Sequence, residues 1–143
     1  MTAKNKPIAV GDRAAFTKTV TEADIILFAG VTGDMNPVHI DETFAAHSIF
    51  EKRIAHGMIG AGLISTVLGT RLPGPGAIYL SQTLQFKKPV FIGDTITATV
   101  EVTAVDAETE KKRKVTLTTT CTNQDGTTVL TGEAVLIPPR NPA

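Results

Sequence analysis

An aspartate and a histidine stand five residues apart in Gly33-Asp34-Met35-Asn36-Pro37-Val38-His39-Ile40-Asp41, with an Asn-Pro pair between them. A carboxylate and a neutral imidazole can each take or give a proton near neutral pH. A turn at Asn-Pro can swing both side chains toward one point, where they would share a water molecule. Asn36 is placed to bond its own loop and so fix the orientation of both groups. The plainer alternative is an Asx turn, in which Asp34 or Asn36 bonds local backbone and His39 lies on the surface. Close behind comes His56-Gly57-Met58, with the glycine at the start of an uncharged helical run. Free N–H groups at a helix start can hold an anion, aided by roughly half a positive charge from the helix dipole. Removing one such donor from an oxyanion site typically costs about 3–4 kcal/mol of transition-state stabilisation. Gly57 would serve equally well for close packing against a sheet, so its residue type does not separate the two roles. Together the stretches point to proton transfer beside a polarised carbonyl.

Asp34, His39 and His56 would supply one carboxylate and two imidazoles to a metal, but their spacing matches no familiar zinc or iron motif and no cysteine pair supports it; no metal is expected. His47 has no partner nearby in sequence and reads as a surface histidine. Ser65 is the only serine in the uncharged run. Its hydroxyl can back-bond to the carbonyl of Ala61, or it can serve a pocket as a hydrogen-bonding group. No Gly-x-Ser-x-Gly elbow surrounds it, which disfavours a nucleophilic role. Leu68 follows on the same predicted face and would shape an acyl tunnel. Lys111-Lys112-Arg113-Lys114 reads as a solvated hairpin opposite Glu108 and Glu110, while Lys87-Lys88-Pro89 could meet the phosphates of a nucleotide-bearing substrate.

The elements that must position these groups fall into two halves. In the first, Thr21 is a plausible N-cap with Asp24 three residues on, an acidic capping box, and the apolar run to Val31 ends at Gly30 and Gly33. Asp41 offers another helix start. From Gly57 to Thr70 no residue is charged, and Met58, Ile59, Leu63, Ile64, Val67 and Leu68 cover every side. Such a helix is expected to be buried all round, and it is too short to span a bilayer. Its glycines cost about 1 kcal/mol each, so something must approach its backbone closely. The second half alternates with period two: Ile96, Ala98, Val100, Val102; Val115, Leu117, Thr119, Cys121; Ile78, Leu80, Leu84, Phe86; and Leu130, Gly132, Ala134, Leu136. That is the pattern of an antiparallel sheet with one wet face. Asn123-Gln124-Asp125-Gly126 marks one hairpin turn and Asp106 to Lys114 another, and a strand from Arg13 to Val20 makes five. A buried helix and a single-faced sheet are reconciled when the sheet curls around the helix. The expected class is therefore α+β, a single hotdog fold with a five-stranded antiparallel sheet wrapped around a long buried helix.

Bulk composition narrows the classes. At 143 residues and 15.1 kDa the chain is most simply one domain, residues 1–143. Fourteen basic residues balance fourteen acidic ones, which leaves no global field for nucleic acid or an anionic membrane. The lone Cys121 excludes an intrachain disulfide and fits a reducing compartment. Residues 1–10 lack the apolar core of a signal peptide, so the cytoplasm is the expected location. The prolines of 138–142 read as an extended tail.

These elements together resemble the R-specific enoyl-CoA hydratases of the MaoC-like dehydratase family, of the type associated with polyhydroxyalkanoate. The matching stretches are Gly33 to His39, Ala55-His56-Gly57-Met58, Gly62-Leu63-Ile64-Ser65, and Phe86-Lys87-Lys88-Pro89-Val90-Phe91-Ile92-Gly93-Asp94, in order over nearly the whole chain. The resemblance implies that Asp34 and His39 are the catalytic pair, that Gly57 supplies an oxyanion-binding N–H, and that Ser65 is an auxiliary pocket residue. It implies a homodimer with sheets joined edge to edge, coenzyme A bound near the subunit interface, and no cofactor beyond the coenzyme A thioester that is the substrate. The reaction would be water addition to a trans-2-enoyl-CoA, giving an (R)-3-hydroxyacyl-CoA. Two rivals use the same fold: a dehydratase acting on 3-hydroxyacyl groups carried by acyl carrier protein, and a non-catalytic subunit that binds acyl groups. Acyl chain length, carrier, pathway and the identity of the formal base are left open by the sequence.

Overall fold

A computed structural model describes residues 6–106 and 113–140. The turn around Glu108 to Lys112 and the tail beyond Arg140 lie outside the described residues.

Thr21 caps α1 (Glu22–Thr32) by accepting the Asp24 N–H while the Asp24 carboxylate accepts the Thr21 N–H, the reciprocal box expected from the sequence. Gly30 lies inside this helix. Gly33 ends it in the left-handed region at φ 79°, where glycine has no steric cost. Two short helices follow, α2 (Pro37–Ile40) and α3 (Glu42–Ala46), the second capped by Asp41 as expected. The long helix α4 (Gly57–Thr70) then leads into the strands.

The sheet is antiparallel, built from β1 (Arg13–Thr19), β2 (Ile78–Gln82), β3 (Gln85–Phe86), β4 (Thr95–Asp106), β5 (Lys114–Thr122) and β6 (Thr128–Ile137). Its order is β1-β4-β5-β6-β2, with β3 also on β6. The five-strand expectation thus holds along the path, but the last strand is broken into β2 and β3, which pair with successive stretches of β6. At the break, the carbonyl of Thr83 presses on Gly132 where any Cβ would stand, so this β6 position has room only for glycine. A bulge between Tyr79 and Ser81 adds to the irregularity. Along this broken edge Ile78, Leu80 and Phe86, expected to share one face with Leu84, stay exposed.

The alternation in β4, β5 and β6 is met: Ile96, Ala98, Val100 and Val102, then Val115, Leu117 and Cys121, then Leu130, Ala134 and Leu136 are all buried. Thr119, the polar member of its row, is satisfied there by a 2.9 Å bond from Gln82 Nε2. Against this face packs α4, chiefly over β4 with β1 and β5 alongside. Leu63, Ile64, Val67 and Leu68 make its inner stripe, each contributing about 1.5–3 kcal/mol on burial. The expectation that α4 is buried on every side is not met within one chain. Gly57, Met58, Gly62, Ser65 and Gly69 are exposed, because the sheet covers only one flank of the helix.

Candidate active site

Local geometry delivers the two proton-handling groups in sequence. Just past the αL cap of α1, Asp34 Oδ1 accepts the Asn36 N–H at 3.2 Å, and Asn36 Oδ1 accepts the Val38 N–H at 3.2 Å. Two successive Asx turns therefore start α2, with Pro37 at its first position where no N–H is needed. Asn36 has the loop-fixing part expected of it. The local Asx bonding is present as well, but His39 is not on the surface: it is 8 % exposed.

His39 is held from both ends. Its Nδ1 lies 2.8 Å from the Ile54 carbonyl, and its own carbonyl accepts Arg53 Nε at 2.7 Å. A carbonyl oxygen only accepts, so Nδ1 carries the proton and Nε2 keeps a lone pair on the neutral ring. Burial lowers the His39 pKa below its ordinary value, outweighing the bond to Ile54 and the nearby Asp34 carboxylate, which both raise it. The ring is thus a neutral acceptor near pH 7.

His56 reads in the sequence as a helix start and a candidate metal ligand, and Arg53 carries no signal there; in the structure both organise the centre. His56 Nε2 donates to the Asp34 carbonyl at 2.9 Å. Its ring lies 3.9 Å from that of His39, with Phe28 at 4.7 Å from it as well. Arg53, 8 % exposed, spends Nε on His39 and reaches Glu22 at 2.6 Å with another guanidinium nitrogen. Nothing local in the sequence announces these contacts, which bridge 14 to 31 residues.

Side-chain donor atoms of Asp34, His39 and His56 lie within 4.8 Å of one another. Each ring already commits one nitrogen to a backbone carbonyl, and the two planes are stacked with a tilt of 31°. By distance alone three such groups can hold a small guest between them, a metal ion or a shared water.

Gly57 opens α4, and the cap residue His56 makes no side-chain cap bond to the first-turn N–H groups. The close-packing role is also real: a Cβ on Gly57 would meet the Phe86 ring at 2.6 Å. His39, His56, Gly57, Lys87 and Lys88 border a cavity of about 450 Å³ between α4 and the sheet. Asp34 and Ser65 border a neighbouring hollow of about 720 Å³ with Ala61, Gly62 and Tyr79. The back-bond open to Ser65 is made instead by Thr66, to Gly62 at 3.0 Å. Leu68 departs from expectation: it sits in the core at 1 % exposure and borders neither hollow. His47 is exposed as expected. Burial pushes the Cys121 thiol up to about 12, which removes it as a nucleophile.

Comparison with known proteins adds an independent line. The model of the MaoC like domain matches residues 6–124. An (R)-specific enoyl-CoA hydratase of Rhodospirillum rubrum is 55% identical over 134 residues, covering 93% of this chain and 90% of that protein. Among solved structures, the (R)-hydratase from A. caviae involved in PHA biosynthesis superposes with a TM-score of 0.87 at 46% identity, covering 92% of this chain and 98% of that one. An unliganded R-hydratase of Pseudomonas aeruginosa gives 0.86 at 44% identity, covering 93% and 83%.

Proposed function

The chain belongs to the MaoC-like domain family, and from that membership we propose that it catalyses reversible hydration of trans-2-enoyl-CoA to (R)-3-hydroxyacyl-CoA. The observation that carries the mechanism is the meeting of the Asp34 carboxylate and the His39 imidazole, donor atoms within 4.8 Å, near the uncapped start of α4.

In this reading the thioester oxygen accepts the Gly57 N–H. Negative charge grows on that oxygen as water adds, so the bond strengthens in the transition state and lowers the barrier instead of only binding substrate. The α4 dipole acts in the same sense. Asp34 and His39 Nε2 hold a water beside C3. One of the pair takes its proton as the oxygen bonds to C3, and a proton is delivered to C2, so the elements of water are added and nothing is oxidised. Ser65, in the hollow with Asp34, offers a hydroxyl to the acyl portion, and Lys87 and Lys88 stand where coenzyme A phosphates would emerge. No resident cofactor enters this scheme.

The whole chain is read as one MaoC-like hotdog domain acting in the cytoplasm as a homodimer. Supporting the dimer, the outer face of α4 is uncharged and open, and the edge strand β2 exposes Ile78, Tyr79 and Leu80. No described helix is long and apolar enough to cross a membrane.

An ultraviolet assay with crotonyl-CoA tests the activity, following loss of the conjugated enoyl-thioester absorbance with an R-specific dehydrogenase to report the product. Rapid loss coupled only to that dehydrogenase is the expected result. No loss with crotonyl-CoA or longer enoyl-CoAs would refute the proposal.

A further inference from the structure

The proposed reaction uses both hollows, and they have one lining residue in common. Met58 borders the cavity that holds His39 and Gly57 and also the one that holds Asp34 and Ser65. It directly follows Gly57, whose N–H is assigned above to the thioester oxygen, and it is 51 % exposed. The second hollow is bordered on α4 by Met58, Ala61, Gly62 and Ser65, successive positions of one helical face. Of these only Met58 is bulky. Nothing lies within 4 Å of where a Cβ on Gly62 would stand. Steric restriction along this face is therefore concentrated at a single side chain.

A conjugated enoyl thioester is flat from its oxygen to C3. With the oxygen at Gly57 and C3 facing the water held by Asp34 and His39, C2 must cross from one hollow to the other beside Met58. We infer that Met58 is a specificity-determining residue for substituents at C2, its side chain filling the space that a branch there would need. The inference rests on the hydratase reading. One methyl group in an apolar contact changes discrimination by roughly 10–200-fold, so the effect is measurable.

The test compares kcat/KM for crotonyl-CoA and 2-methylcrotonyl-CoA in the unmodified protein, in Met58→Ala and in Met58→Leu. Both substrates see the same enzyme sample, so the ratio is insensitive to any loss of folded protein. It also cancels the intrinsic effect of the methyl group when variants are compared. Met58→Ala should move the ratio toward the branched substrate by roughly tenfold or more, and Met58→Leu, of similar volume, should keep the unmodified ratio. An unchanged ratio in Met58→Ala, with crotonyl-CoA still hydrated, overturns the inference alone. No hydration of crotonyl-CoA by the unmodified protein overturns the reading beneath it.

Discussion

In β4, β5 and β6 the backbone satisfies itself, strand to strand, while apolar side chains fill the inner face. Between Gly33 and His56 the arrangement is reversed. There the carbonyls of Asp34, His39 and Ile54 are held by the side chains of His56, Arg53 and His39. A ladder tolerates exchange of one apolar side chain for another, because the hydrogen bonds do not depend on it. A segment whose backbone is tied down by imidazole and guanidinium loses its shape with the side chain. The benefit is polar groups held in fixed orientation in a partly dry place, where proton transfer needs them.

The contrast can be broken from either side. The largest expected effect is on chemistry. Asp34→Asn keeps an oxygen for the Asn36 N–H and removes only the charge, so turnover of crotonyl-CoA should fall by about 10²–10⁴-fold while thermal unfolding stays where it was. Equal turnover in that variant would remove Asp34 from the mechanism. Leu117→Ala should do the reverse. Opening a cavity at a fully buried site costs about 2–5 kcal/mol, seen as a lower denaturant midpoint, while kcat per folded molecule is retained. Arg53→Met, which keeps much of the volume, falls between. It leaves the His39 carbonyl without its donor and should cost about 1–3 kcal/mol. Because it loosens His39, it should also lower kcat, by up to about 10²-fold for a displacement near 1 Å. A pure stability loss with normal kcat would show that the Arg53 bond has no part in posing the imidazole.

What could be read from the sequence follows the same division. Period-two alternation located β4, β5 and β6 because a strand's two faces are written in consecutive residues. The α1 capping box and the Asx turns at Asp34 and Asn36 were legible because their partners are two or three residues away. Asp34, His39 and Gly57 stand out in the sequence by residue type and spacing. The burial of His39 does not, since it depends on Ile54 and Arg53 arriving from the next loop. In the sequence His56 reads as a helix start or a metal ligand, not as the group that pins Asp34, and the broken edge strand depends on Thr83 meeting Gly132. Leu68 was misplaced because an apolar helix gives no sequence signal for which flank faces the sheet.

The smallest expected effect concerns pH. The folded His39 pKa lies below its unfolded value of 6.5, so the unfolded chain takes up a proton first as pH falls. The His39 contribution to stability is therefore constant above about pH 6.5 and declines from there down through the lower folded pKa. A stability curve that rose across this interval on acidification, after correction for the other histidines, would contradict the direction of the shift.

Residues 33–56 together present a neutral His39 with Nε2 free beside Asp34. Nitrogen-detected NMR of the imidazoles, assigned through a His39→Gln variant, tests it most directly. The expected result is a proton on Nδ1 and an unprotonated Nε2 at pH 7, with His39 titrating below 6.5. A ring protonated on Nε2 at neutral pH, whether as the other tautomer or as the cation, would contradict it.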